Sequence, residues 1–168
     1  MDKKLYLLAE LDNLSQEKIG KFEKIITENG FIGKQTKNIP YHITLCSFPT
    51  ENEDYVISLL DTINEKINQI DLVINGFGLF GLNVLFLNLS MNLKLIELYH
   101  SVNKNSLNTD NDFAAHVTLL MDEPENIFKV LPEINKEFKA FSGKITNISL
   151  FEFFPKKFIK RIELLPEI

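Results

Sequence analysis

The tetrapeptide His42-Ile43-Thr44-Leu45 returns later in the chain as His116-Val117-Thr118-Leu119, each time inside a short run of β-branched and aliphatic residues that reads as a strand. The hydrophobic pattern around each copy follows the same order. In the first half, Leu5 to Leu11 reads as a buried strand, and Ile19, Phe22, Ile25 and Ile26 then mark a helix that stops at Asn29-Gly30. The strand Tyr41 to Cys46 follows, then a helix with Val56, Leu59, Leu60, Ile63 and Ile67 on one face, and a third strand opens at Leu72 to Ile74. Thr50 and Glu53 have the spacing of a capping box for that second helix.

The second half repeats strand, helix, His strand, helix, strand. Val84 to Leu89 is the first strand, and Leu95, Leu98, Tyr99 and Val102 mark the helix. Ala115 to Leu120 is the His strand, a turn carries Pro124, and Ile127, Val130, Leu131 and Ile134 mark the next helix. Pro132 has no N–H, so that helix is expected to kink or split. A further strand starts at Ile145, and a last one runs from Ile159 to Leu165. This constrains the fold to an α+β class with duplicated β-α-β-α-β halves, forming two pseudo-symmetric lobes around a central cleft. At 168 residues, two independent halves would each have a marginal core. The expectation is one domain over 1–168, with lobes of about 1–82 and 83–168 that share strands.

Alternation along a strand gives the repeat its chemistry. His42 and Thr44 point to one side while Ile43 and Leu45 point to the other, and the second copy does the same. Each strand therefore offers an imidazole beside a hydroxyl. Two such pairs facing each other place two groups that titrate near neutrality, and two short donors, around one small anion such as a phosphate. On a phosphodiester, one neutral His takes a proton from the attacking group and one protonated His supplies the leaving oxygen. The Thr hydroxyls donate to non-bridging oxygens, and no metal is called for. The symmetric pair does not say which His is acid and which is base.

With these residues in place the chain resembles the two-histidine (2H) phosphoesterase superfamily, which includes bacterial 2'-5' RNA ligases and cyclic phosphodiesterases. The segment Leu72-Val73-Ile74-Asn75-Gly76-Phe77-Gly78, with Val84 to Leu89, is similar to the family's central strand-loop-strand. The resemblance implies cleavage or transfer at 2',3'-cyclic or 2'-5' phosphodiesters of RNA ends or small nucleotides without a cofactor. His42, Thr44, His116 and Thr118 take the catalytic positions. Lys37, on the loop leading into the first His strand, and Tyr41, at the start of that strand, are candidate substrate contacts. Arg161 is the only arginine and is far along the chain from both motifs, so family members that use a nearby Arg on the phosphate or base differ from this chain. Two alternatives stay open: a non-catalytic phosphate or RNA-binding module in the same cleft, and a hydrolase of cyclic oligonucleotide signals.

Other features carry less. Cys46 is expected to share a face with His42 and Thr44, but its counterpart in the second copy is Leu120, which argues for a modest apolar role and against a Cys-His nucleophile. His100 has no Thr two residues on and reads as a surface or boundary residue. Gly76 to Gly81 matches G-x-G-x-x-G but is followed by a strand where a dinucleotide fingerprint needs a helix, so its glycines are assigned to a turn or bulge. Asp110-Asn111-Asp112 lacks the Gly and terminal Glu of a calcium loop, and no metal site is expected. Phe151, Phe153, Phe154 and Phe158 are mostly core, with base stacking at a cleft edge as the alternative. Lys156, Lys157, Lys160 and Arg161 read as a solvated turn, with a nucleotide-tail contact as the alternative.

Eighteen basic against 23 acidic side chains leave a net charge of -5, which excludes a global field for long double-stranded nucleic acid. The amino-terminal apolar run is broken by Glu10 and Asp12, there is one cysteine, and no stretch has membrane-spanning length. The expectation is a cytoplasmic monomer acting on a small nucleotide or RNA end, with no membrane partner.

Overall fold

A computed structural model describes residues 2–108 and 113–168, so the Asp110-Asn111-Asp112 stretch lies outside the described residues. The order is β1 (Lys4–Leu11), α1 (Asn13–Glu28), β2 (His42–Pro49), α2 (Glu53–Lys66), β3 (Ile70–Phe80), β4 (Val84–Leu89), α3 (Leu93–Asn103), β5 (His116–Met121), α4 (Pro124–Glu137), β6 (Phe141–Phe153) and β7 (Lys157–Glu163). The class is α+β, with one seven-stranded antiparallel sheet. Among the described residues no helix is long and apolar enough to cross a membrane.

Local chemistry sets some of the helix ends. Asp12 caps α1, accepting from Ser15 N at 2.9 Å, and Asn92 caps α3 by accepting from Leu95 N at 2.9 Å. After Glu28 the chain leaves α1 through Gly30 at a φ of 87°. Three expectations change. Thr50 opens a short 3-10 turn, Thr50–Asn52, and α2 starts after it from Asn52 with no side-chain cap, so the capping box does not form. Pro124 lies in the first turn of α4, where its missing N–H costs no bond. Pro132 lies inside that same helix, which does not split there but continues as one element from Pro124 to Glu137.

The strand pairings cross between the halves of the sequence. Hydrogen-bonding order is β2-β1-β6-β3-β4-β5, with β7 also on β6. The long strand β6 carries β1 along one edge, from Ile145 to Phe153. Its other edge carries β3 from Phe141 to Ile145 and then β7 from Asn147 to Glu152. The third strand of the first half thus pairs with β4, and the third strand of the second half pairs with β1. All four helices place their apolar faces against one side of the sheet, where Leu5, Leu7, Ala9, Ile43, Leu85, Leu87, Val117 and Ile148 belong to the same core. A smaller cluster of Leu8, Phe151 and Phe153, with Tyr6 and Ile39 against it, occupies the opposite side of β1 and β6.

The glycines after Ile74 serve as the sequence suggests. The register of β3 on β4 shifts between Ile74 and Gly76, and Gly81 makes the turn into β4 at a φ of 55°.

Candidate active site

The two His strands are the outermost strands of the hydrogen-bonding path, yet the sheet curves enough to bring β2 and β5 back into contact. Both break register at the same place. Leu8 pairs with Thr44 but Leu7 pairs with Cys46, so Leu45 is an extra residue; Phe86 pairs with Thr118 but Leu85 pairs with Leu120, so Leu119 is extra. Each bulge therefore falls directly after the His-x-Thr triplet.

The bulge also corrects the reading of Cys46. Beyond Leu45 the alternation is reset, so Cys46 lies on the core side with Ile43 and Leu45 and does not share the face of His42 and Thr44. It is 1% exposed, its Sγ lies 3.7 Å from the Val102 carbonyl oxygen, and burial pushes its thiol up to about 12. Leu120 is buried in the same way.

Both imidazoles are oriented by the same local bond. His42 Nδ1 lies 2.8 Å from the Pro40 carbonyl oxygen, and His116 Nδ1 lies 2.5 Å from that of Ala114. A carbonyl only accepts, so each Nδ1 carries the hydrogen and each Nε2 is left for proton transfer. Neither Thr44 nor Thr118 has a hydrogen-bond partner for its hydroxyl among the described residues, and both side chains are half-buried.

The surroundings of the two rings differ. Burial holds His42 below the ordinary histidine range, opposed by its bond to Pro40 and by the Glu10 carboxylate, and assisted by the charge of His116. Glu10 stands directly opposite His42 on β1 and is 5% exposed. Its carboxylate receives Arg161 as a fork, with Nε at 2.9 Å from Oε2 and Nη2 at 2.8 Å from Oε1. Arg161, remote in sequence, therefore sits one residue away from the first His across the sheet. His116 instead packs against Phe80 and Phe86, with ring centroids 4.7 and 5.3 Å away.

A cavity of about 730 Å³ opens between the strands. His42, Thr44 and Thr118 line it, together with Lys37, Tyr41, Tyr6, Phe153 and Phe154. His116 stands on the same strand face as Thr118, beside the lining residues rather than among them. Tyr41 and Lys37 reach the cavity but are engaged with the protein: the Tyr41 hydroxyl donates to Glu23 Oε2, and Lys37 Nζ donates to the Ile32 carbonyl. Phe151 and Phe153 are buried, whereas Phe154 is 55% exposed at the rim.

Of the basic cluster, only Lys156 is in the turn, where it donates to the carbonyls of Lys37 and Asn38; Lys157, Lys160 and Arg161 belong to β7. Lys160 pairs with Asp61 at 2.6 Å. His100 is exposed on α3. Among the described residues no group of three or more His, Cys, Asp or Glu side chains is placed to hold a metal ion.

No family model matches the chain, and no curated protein matches its sequence. Solved structures do match its fold over almost the full length of both chains. A phosphoesterase crystal structure aligns at a TM-score of 0.64 and 18% identity, covering 97% of this chain and 99% of its own. LigT of E. coli in complex with 3'-AMP aligns at 0.62 and 16% identity, covering 98% and 99%. TT0787 of Thermus thermophilus aligns at 0.68 and 14% identity, covering 98% and 100%. The chain thus has the fold of LigT and of that phosphoesterase.

Proposed function

We propose that the chain is a phosphoesterase of the two-histidine type, acting on 2',3'-cyclic or 2'-5' phosphodiesters of RNA ends or small nucleotides. The observation that carries this reading is the matched pair of His-x-Thr strands on either side of one cavity, both imidazoles bonded through Nδ1 and presenting Nε2. The fold shared with a phosphoesterase, and with LigT in a complex with 3'-AMP, supports the same substrate class. We further propose that the two halves are a duplication, since their His strands repeat the bulge as well as the motif.

The surroundings of the two histidines support an assignment of their roles. His42, held toward its neutral form by burial, is the general base, and His116 is the general acid. His42 Nε2 takes a proton from water as its oxygen bonds to phosphorus. The bond from phosphorus to the 2' or 3' oxygen breaks, and that oxygen takes the proton from His116. Thr44 and Thr118 donate to the non-bridging oxygens as negative charge grows there. The route needs no metal, so turnover is expected to be indifferent to chelators.

The cavity volume falls within the range of small-ligand sites, which favours a mono- or dinucleotide over a larger cyclic oligonucleotide. Phe154 at the rim offers a stacking face for a base. The test is a panel of 2',3'-cyclic nucleotides, 2'-5' dinucleotides and cyclic oligonucleotides with product analysis, run on the parent and on His42→Ala and His116→Ala. Loss of about 10²-fold or more in turnover is expected for each variant. Parent protein that binds these ligands without converting any of them is the result that would establish a binding module instead.

A further inference from the structure

The edge strands of a sheet leave a row of N–H and C=O groups without strand partners. In this molecule the outer edges of β2 and β5 are closed by two segments that mirror each other. The segment after α1 crosses to β5, where Lys34 N donates to the Met121 carbonyl at 2.6 Å and Met121 N donates to Gln35 Oε1 at 3.0 Å. The segment after α3 crosses to β2, where Leu107 N donates to the Ser47 carbonyl at 2.8 Å and Ser47 N donates to Asn108 Oδ1 at 3.0 Å. Ser47 and Met121 occupy the same place, five residues after their histidines. In both cases a backbone N–H and a side-chain amide oxygen from neighbouring residues imitate one rung of a β-ladder.

The first of these contacts is built closely. Gln35 also donates through Nε2 to the carbonyl of Leu119, the bulged residue after Thr118, at 3.1 Å. Gly33 has a φ of 81°, and a Cβ there would collide with Gln35 Oε1 and lie 2.6 Å from Leu120 Cδ1. Only a glycine lets the segment lie this close to β5 while its amide bridges the bulge.

We propose that Gln35 and Asn108 are reciprocal positioning residues: the first half of the chain holds the second His strand, the second half holds the first, and together they set the separation of the two imidazoles. The catalytic part of this rests on the two-histidine reading of the cleft, because in-line transfer needs both Nε2 atoms within reach of one phosphorus. The two residues differ in what they must supply. Asn108 acts toward Ser47 only as an acceptor, so a carboxylate can replace it. Gln35 accepts and donates, so a carboxylate leaves the Leu119 carbonyl without its donor.

The experiment uses the full chain with Asn108→Ala, Asn108→Asp, Gln35→Ala and Gln35→Glu. Amide hydrogen exchange at Ser47 and Met121, kcat and KM on a 2',3'-cyclic nucleotide, and shifts of both imidazole resonances on adding inorganic phosphate are measured. For Asn108→Ala, Ser47 exchange should rise about tenfold or more while Met121 is unchanged. The kcat should fall about tenfold with KM changed by less than about threefold, and Asn108→Asp should restore both. Gln35→Ala should raise exchange at Met121, leave Ser47 unchanged and lower kcat in the same way. Gln35→Glu, which still accepts from Met121 N but cannot donate to the Leu119 carbonyl, should restore the exchange protection but not kcat. Unchanged exchange in the alanine variants, rescue of kcat by Gln35→Glu as full as by Asn108→Asp, or lost protection with kcat intact would overturn the proposal. If the parent turns over no phosphodiester, the functional reading fails by itself. The exchange data and the phosphate response of the two rings then still decide whether the amides position the strands: a ring response altered by alanine and restored by Asn108→Asp supports them, and an unaltered one rejects them.

Discussion

His42 is pulled in opposite directions by its surroundings. Burial lowers its proton affinity, while the Pro40 carbonyl and the Glu10 carboxylate raise it, and burial prevails. As the base, it must be deprotonated to act, so the acidic limb of the kcat/KM profile should lie below the ordinary value of 6.5. Arg161→Met removes the cation that neutralises Glu10, so that limb should move upward; an unmoved limb would show that Glu10 does not act on His42. The same shift links to stability. The folded state binds the His42 proton less tightly than the unfolded chain, so this contribution is present above about pH 6.5 and is lost as pH falls through the lower folded value. Equilibrium unfolding between pH 7 and 5 should show the decline, and His42→Asn should lessen it. Cys46 works the other way: with its thiol raised to about 12, native protein at pH 8 should resist iodoacetamide until unfolded. The face of Cys46 was beyond sequence periodicity, because one extra residue at Leu45 reverses every side chain after it.

At the scale of elements, the aromatic support of His116 depends on a glycine. Phe86 pairs across from Gly78, and a Cβ on Gly78 would lie 2.8 Å from Phe86 Cζ. The Phe86 ring stacks on Phe80 at 4.2 Å, and both rings contact His116. Gly78→Ala should therefore cost about 1–3 kcal/mol by overpacking and should shift the His116 ring resonances, as measured by denaturant titration and NMR. A neutral substitution would mean that Phe86 has room to move and does not hold the histidine. The helices were legible from their apolar spacing, since Val56, Leu60 and Ile63 on α2, and Ile127, Val130 and Ile134 on α4, are the buried residues. Their starts were less so. Thr50 and Pro124 have several local uses, and the short-range pattern does not choose among them.

For the whole molecule, the exchange of third strands makes the halves interdependent. Fragments 1–82 and 83–168 would each lose a sheet partner, β6 from β1 and β4 from β3, so neither should fold alone and the intact chain should unfold in a single transition. Coincident circular dichroism and fluorescence transitions check this, and a stable isolated fragment would refute it. What the amino-acid order determines by itself is whatever near neighbours control: strand and helix identity, and the shared face of His42 with Thr44 and of His116 with Thr118, because those rest on side-chain periods of two and 3.6 residues. The bulge positions, the reach of Arg161 to Glu10, the strand exchange and the crossing of Gln35 and Asn108 to the opposite His strands belong to the tertiary structure alone. Apart from the β3-β4 hairpin, each depends on hydrogen bonds between residues far apart in the chain, and no local pattern specifies which distant backbone group a strand edge or an amide will meet.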